Sequence, residues 1–221
     1  MPSCCYRDDY GSVFRPEEAE AQARRFARRG LTGTSATMVS LLQAEGIEGA
    51  EVLEVGSGVG EVVVTLLDRG AARAVDIDLS PGWVEAARVF LAEHGLSERF
   101  EARAGDFVDA APSLPESDVV ILNRVVCCYP HWPAMLSAAA ERSRRLVAVV
   151  YPSERWWTRA GIAVANLYFR LRGLRFRVFV HPEAPMVELL REAGFEIARE
   201  RRGLIWRTAV FRRRQPAEAA A

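Results

Sequence analysis

The sequence predicts an α/β fold, a mostly parallel sheet of seven strands with helices on both faces. Three observations predict it. Glu51-Val52-Leu53-Glu54-Val55 has the length and branched-apolar content of a buried strand. It runs into Gly56-Ser57-Gly58-Val59-Gly60, and the apolar stretch Val62 to Leu67 that follows stops at Gly70, so a strand passes through a tight turn into a helix. Asp118-Val119-Val120-Ile121-Leu122-Asn123 is a near-continuous apolar run, which a strand covered on both faces requires. Strand-like and helix-like stretches then alternate along the chain, as in βαβ units.

Residues 1–15 are irregular and aromatic, with Tyr6, Tyr10 and Phe14. Pro16 opens a helix with Glu17, Glu18 and Glu20 at its start and Arg24, Arg25, Arg28 and Arg29 at its end, complementing the helix dipole until Gly30 stops it. A second helix is expected from Ser35 to Ala44. Beyond the glycine turn, Ala72 to Asp78 reads as the second strand, and Ser80-Pro81 caps and opens the helix that ends at Gly95. Phe100 to Phe107 reads as the third strand with its exit, Asp118 to Asn123 as the fourth, Met135 to Arg142 as a helix and Arg145 to Tyr151 as the fifth strand. Pro185 to Gly194 reads as a late helix, with closing strands at Phe195 to Arg201 and Ile205 to Arg212. Residues 215–221 are expected to be a disordered tail.

The glycine turn lets a ligand lie almost on the backbone, because glycine carries no Cβ and tolerates positive φ. A dinucleotide is disfavoured: Glu61 stands where the third glycine of that fingerprint belongs and would face a pyrophosphate. Asp78, about 20 residues past the turn, is placed to accept both hydroxyls of a ribose, with Asp76 as the alternative.

Taken with Glu54, the spacing acid, any, Gly, any, Gly, any, Gly resembles motif I of the class I S-adenosylmethionine-dependent methyltransferases. Asp78-Leu79-Ser80-Pro81 looks like that family's acidic-loop segment, and Gly105-Asp106-Phe107 resembles its adenine-binding segment. The resemblance covers residues 50–150 and implies a Rossmann-like fold with S-adenosyl-L-methionine as cofactor. It implies Glu54, Gly56, Ser57, Gly58, Gly60, Asp78, Leu79, Asp106, Phe107 and Asn123 as the cofactor's contacts, an N-terminal helical lid over residues 1–48, and a binding domain over residues 49–214. The exit of the fourth strand and the C-terminal layout look most like magnesium-protoporphyrin O-methyltransferase relatives. Those carry His-Tyr-Pro there. Tyr129 and Pro130 match, and Cys128 stands in place of the histidine.

The fourth-strand exit is where this fold places a methyl acceptor, so Cys128, Trp132 and the N-terminal Tyr10 and Phe14 are substrate candidates. His131 is the candidate general base, oriented by Tyr129; its alternative is a solvated helix start. The insertion over residues 153–180, with Trp156 as a further substrate candidate, is rich in aromatics and arginine. It reads as an amphipathic helix covering an apolar substrate, lying on a membrane surface, or packed on its own sheet.

Composition bounds the rest. With 221 residues, half of them hydrophobic, and a formal charge of zero, the chain carries no overall field for nucleic acid. It also lacks an Asn-Pro-Pro-aromatic segment after the fourth strand. All basic residues are arginine, which excludes lysine Schiff-base chemistry. No apolar run approaches the ~20 residues that span a bilayer, and a cytoplasmic location is expected. Cys4-Cys5 and Cys127-Cys128 lack zinc spacing and read as reduced and apolar, or as a soft site for a metalloid should they meet. No metal site is expected. The expected function is methyl transfer to a small apolar or aromatic molecule, to oxygen before nitrogen or carbon. Its alternatives are a protein of this fold that binds the cofactor without spending its methyl, and a thiol-assisted metalloid methyltransferase.

Overall fold

Alternation of side chains along the strands decides the layering of the computed structural model, which describes residues 16–215. Two helices come first, α1 (Pro16–Arg29) and α2 (Gly33–Gln43). There follow β1 (Glu51–Val55), α3 (Glu61–Asp68), β2 (Arg73–Asp78), α4 (Pro81–Glu93), β3 (Phe100–Ala104), the single turn α5 (Phe107–Ala110) and β4 (Ser117–Asn123). The chain closes with α6 (Trp132–Arg142), β5 (Ser143–Pro152), α7 (Trp156–Leu171), α8 (Glu183–Glu192), β6 (Phe195–Arg202) and β7 (Trp206–Arg213). The strand order is β3-β2-β1-β4-β5-β7-β6. Strands β1 to β5 are mutually parallel, and β7 runs antiparallel to both its neighbours.

Because successive residues of a strand face opposite ways, each strand feeds two cores. Leu53, Val55, Val120, Leu122, Val147 and Val149 meet Leu136 and Ala139 of α6 and Met186 and Leu190 of α8 on one face. Val52, Val119, Ile121 and Ala148 meet Met38 and Leu42 of α2, Val62 and Leu66 of α3 and Leu91 of α4 on the other. The parallel registers bring the exits of β1, β2, β3 and β4 to one edge of the sheet: Val55 lies beside Ile77, Asp78 beside Ala104 and Asn123 beside Val150.

The sequence expectations hold for all seven strands, with boundary differences that have local causes. The late helix starts at Glu183, two residues earlier than expected, because Pro185 falls inside its first turn, where a missing N–H costs nothing. The third strand stops at Ala104: Asp106 accepts the Val108 N–H at 2.9 Å and starts the turn α5. Ser80 is the N-cap residue of α4, yet its side chain makes no capping bond; the Ser80 N–H instead donates to the Asp78 carboxylate at 2.8 Å.

Candidate functional site

The β1 exit sets the site. Gly56, Gly58 and Gly60 all take positive φ, at 67°, 64° and 84°. A Cβ on Gly56 would lie 2.7 Å from the Val125 side chain, and one on Gly60 would lie 2.6 Å from Leu91, so this turn admits no side chains there. The Ser57 N–H donates to Asp76 at 3.1 Å, tying the turn down onto β2.

Above the turn lies a cavity of about 550 Å³. Gly56, Ser57 and Gly58 form its floor, Asp78 and Leu79 one wall, and Asp106 and Phe107 the next; Asn123, Cys128 and Tyr129 close the side at the β4 exit. These candidates from three separate strand ends are thus brought together. Asp78 lines the cavity, whereas Asp76 is buried beneath the turn, with one oxygen on the Ser57 N–H and the other without a partner among the described residues. The Tyr129 hydroxyl donates to the Asp106 carboxylate at 3.2 Å, which holds the ring against the cavity wall.

The charge beneath the turn is unbalanced. Glu54 is fully buried, and among the described residues neither of its oxygens has a hydrogen-bond partner. Burial, with Asp76 and Glu61 nearby, pushes its pKa well above the usual 4.5. Burial and the neighbouring Asp78 likewise raise Asp76, and burial raises Asp78 against the pull of the Ser80 N–H. Three carboxylates crowded in this way favour a cation in the cavity. The Ser57 hydroxyl and the Asn123 side-chain oxygen are also buried without partners among the described residues. The Asn123 amide donates to Ser35 of α2 at 3.1 Å.

Other expected residues lie elsewhere. Gly60 shapes the start of α3 rather than the cavity. His131 is exposed: it is the N-cap residue of α6, and with Pro133 fixing the first turn it stands off the cavity wall. Trp132 is half-buried against the apolar cluster, its ring 6.0 Å from that of His181. Trp156 is 75% exposed at the start of α7 and does not line the cavity, so α7 itself does not cover it. Tyr10, Phe14, Cys4 and Cys5 lie outside the described residues. Cys127 and Cys128 hold their sulfurs 3.8 Å apart, and this contact lowers the Cys127 pKa.

Several wall residues escaped the sequence reading. Glu18, Gln22 and Arg25 of α1 face the cavity, and a Cβ on Gly58 would meet Gln22 at 3.1 Å, so α1 lies directly across the glycine turn. The acids and arginines at its ends gave that helix away and the resemblance implied a lid, but nothing in the sequence marked which of its side chains face the cavity. Phe176, Val178 and Trp206 complete the far wall. Arg124 also faces the cavity, and it is the one non-glycine residue at positive φ among those described, at 61°. His181 is buried behind the wall; its Nε2–H points at the carbonyls of Val126 and Tyr129, at 3.0 and 3.1 Å, and braces the turn carrying the cysteines. Arg25, Arg124, Gln22, Glu61 and Ser35 continue into a second, more polar chamber of about 390 Å³ between α1 and α2.

Comparison with known proteins fits this geometry. Residues 52–148 match the family described as "Methyltransferase domain". Ribosomal protein L11 methyltransferase of Enterobacter sp. is 30% identical over 94 residues, 42% of this chain and 31% of that protein. The chain therefore spans about a third of the length of such curated relatives. Among solved structures, magnesium protoporphyrin IX methyltransferase from Synechocystis PCC 6803 with bound SAH superposes with a TM-score of 0.71 at 22% identity, covering 94% of this chain and 97% of that one. An O-methyltransferase family protein from Burkholderia thailandensis gives 0.68 at 21% identity, covering 88% and 59%. The fold is that of these methyltransferases.

Proposed function

We propose that the chain is an S-adenosylmethionine-dependent methyltransferase acting on a small apolar or aromatic acceptor, with oxygen the favoured accepting atom. The observation that carries this reading is the unpartnered, fully buried Glu54 carboxylate under a glycine turn whose side-chain space is shut, opening onto a cavity walled by Asp78 and Asp106. A ligand with a cationic head, a diol and a purine fits that donor and acceptor set. Glu54 acts across the turn on the cationic amino-acid end, and Gly56, Ser57 and Gly58 take the chain of the ligand. Asp78 keeps one oxygen on Ser80 and turns the other to the ribose. Asp106 and Phe107 take the base. When bound, the cofactor supplies an electrophilic methyl group. The bound SAH of the Synechocystis enzyme supports the same assignment.

Positioning then carries most of the rate, since displacement at carbon needs the acceptor aligned opposite the leaving sulfur. The acceptor side is bounded by Asn123, Cys128, Tyr129, Phe176 and Val178, largely apolar apart from its polar tips. Among the described residues no histidine lines it. An acceptor already ionised at neutral pH, such as a carboxylic acid or a phenol acidified well below the usual value of about 10, needs no base from the protein. Arg25 and Arg124 hold no ion pair among the described residues and face the cavity, where they favour such an anion. Tyr129, held by Asp106, remains the side chain to orient it.

The test is incubation of the protein with S-adenosylmethionine and panels of phenols and aromatic or apolar carboxylic acids, followed by mass spectrometry. The reading expects S-adenosylhomocysteine and a product one methylene heavier. Cofactor binding with no turnover across both panels favours the protein that binds without transferring. Absence of cofactor binding by the folded protein overturns both.

A further inference from the structure

We infer that the outward face of α7, together with the β6–β7 turn, docks onto an anionic lipid bilayer. The helix is built inside out for a soluble protein, whose surface helices turn their apolar stripe to the core. Its inner face holds on through polar contacts beside one apolar ring contact, Phe169 against the buried Phe176 at 5.4 Å. Thr158 bonds Ser153 at 3.0 Å, and the Asn166 amide brackets the Val178 backbone with bonds of 2.8 and 2.9 Å. The outer face carries Trp156, Trp157, Val164, Leu167, Tyr168 and Leu171, with exposures of 75, 42, 68, 55, 55 and 78%. All six fall on one side of a 3.6-residue turn. The patch continues onto Leu204 and Ile205, 74 and 50% exposed, and the Trp157 indole N–H donates to the Leu204 carbonyl at 3.0 Å to join the two pieces. Contiguous exposed apolar surface on this scale marks an interaction site.

Charge selects the occupant. Residues 155–180 contain six arginines and no acid, leaving 23 basic against 29 acidic residues in the rest of the chain. Arg159 spends its charge on Glu154 at 2.7 Å, and the remaining five arginines leave this segment net positive within a neutral molecule. Arg155 stacks over Trp157 at 5.0 Å and Arg172 over Tyr168 at 5.9 Å, so cations and aromatic rings sit together. Aromatic rings at headgroup depth, aliphatic side chains below them and arginines reaching phosphates is the composition of a helix lying in a bilayer interface. A second copy of the chain fits badly. A two-fold interface sets the same patch against itself, which here brings two net positive segments together, Glu154 offsetting one arginine on each. No helix among the described residues is long and apolar enough to cross the membrane.

The surface stands independently of the proposed chemistry, but its place has a consequence for it. Phe176 and Val178, just after α7, and Trp206, just after Ile205, line the cavity. Docking by this face brings that wall toward the bilayer, which suits an acceptor dissolved in lipid.

The test is flotation of the full chain with phosphatidylcholine vesicles and with mixed phosphatidylcholine and phosphatidylglycerol vesicles. Binding is expected to the mixed vesicles, with weakening at high salt as charge is screened. Trp156→Ser with Leu171→Ser is expected to lower the bound fraction ~10-fold or more through lost apolar burial, with thermal melting unchanged. Arg170→Glu with Arg172→Glu gives a second, independent loss. Failure to bind mixed vesicles at low salt overturns the proposal. So does binding that survives both variants, or a dimer detected by light scattering that Trp156→Ser with Leu171→Ser dissolves, which would make the face a contact between copies.

Discussion

Glu54 concentrates the tension between stability and binding in one side chain. Among the described residues only the Arg124 charge offsets its burial: both oxygens lack partners, and its largest perturbation is desolvation, which raises the pKa. A carboxyl held above its unfolded value of 4.5 favours folding most where it stays protonated in both states. Its contribution is fully present below about pH 4.5 and is lost as pH rises toward the raised folded value, because the unfolded chain then gains by ionising and the folded one does not. Glu54→Gln removes that dependence. Without ligand the variant is expected to be more stable than wild type at pH 8, by ~1.4 kcal/mol for each unit of raised pKa, and the gap is expected to close below pH 4.5. Chemical denaturation across that range measures it. The same variant is expected to bind S-adenosylmethionine more weakly, which calorimetry reads separately. A variant less stable than wild type at pH 8 would mean that Glu54 has a compensating partner.

At the scale of elements, Arg207 shows what fastens the C-terminal part of the sheet beside the cavity. It stands on β7 next to Trp206, its guanidinium is 9% exposed, and it pairs with Glu183 at the start of α8 and with Glu200 of β6, the latter at 2.6 Å. Removing one member of a buried ion pair leaves the other uncompensated and costs ~3–5 kcal/mol. Glu183 and Glu200 are partly exposed, at 22 and 31%, and water relieves them, so Arg207→Met is expected near the low end, ~3 kcal/mol. Urea unfolding checks it; a cost below ~1 kcal/mol would class the cluster with ordinary surface pairs. The sequence made β7 legible as a strand and left Arg207 unremarked, because its partners come from two other elements. The insertion shows the same limit. Its helical periodicity was readable, but which side faced the protein was decided by Thr158 and Asn166, whose partners Ser153 and Val178 frame the helix on either side. Apolar content alone turned α7 toward a substrate that it does not cover.

Across the whole molecule, what was legible followed from chain-local rules: branched apolar runs for the strands, glycines for the turn, and acids at strand exits for the cavity wall. Asp78, Asp106 and Tyr129 meet because a parallel sheet brings successive exits to one edge. Residues that reach the cavity from afar, Gln22, Phe176 and Trp206, carry no local mark of doing so, and His131 was displaced from the wall by its role at a helix start. We propose that the N-terminal helices and the sheet nevertheless melt together. Ala19 of α1 and Met38 and Leu42 of α2 share a core with Val52, Val62 and Leu91, so neither part keeps its apolar surface covered alone. A ligand seated between them should then stabilise the whole. At a concentration 100 times its dissociation constant, S-adenosylhomocysteine adds ~2.7 kcal/mol, and ~2–4 °C per kcal/mol at this size gives a rise of ~5–11 °C in a single calorimetric transition. Asp78→Ala, losing a charged acceptor worth ~1–3 kcal/mol, is expected to forfeit much of that rise at the same ligand concentration. Two transitions, with the N-terminal helices melting first and no response to ligand in the second, would show instead that the lid and the sheet are separate units.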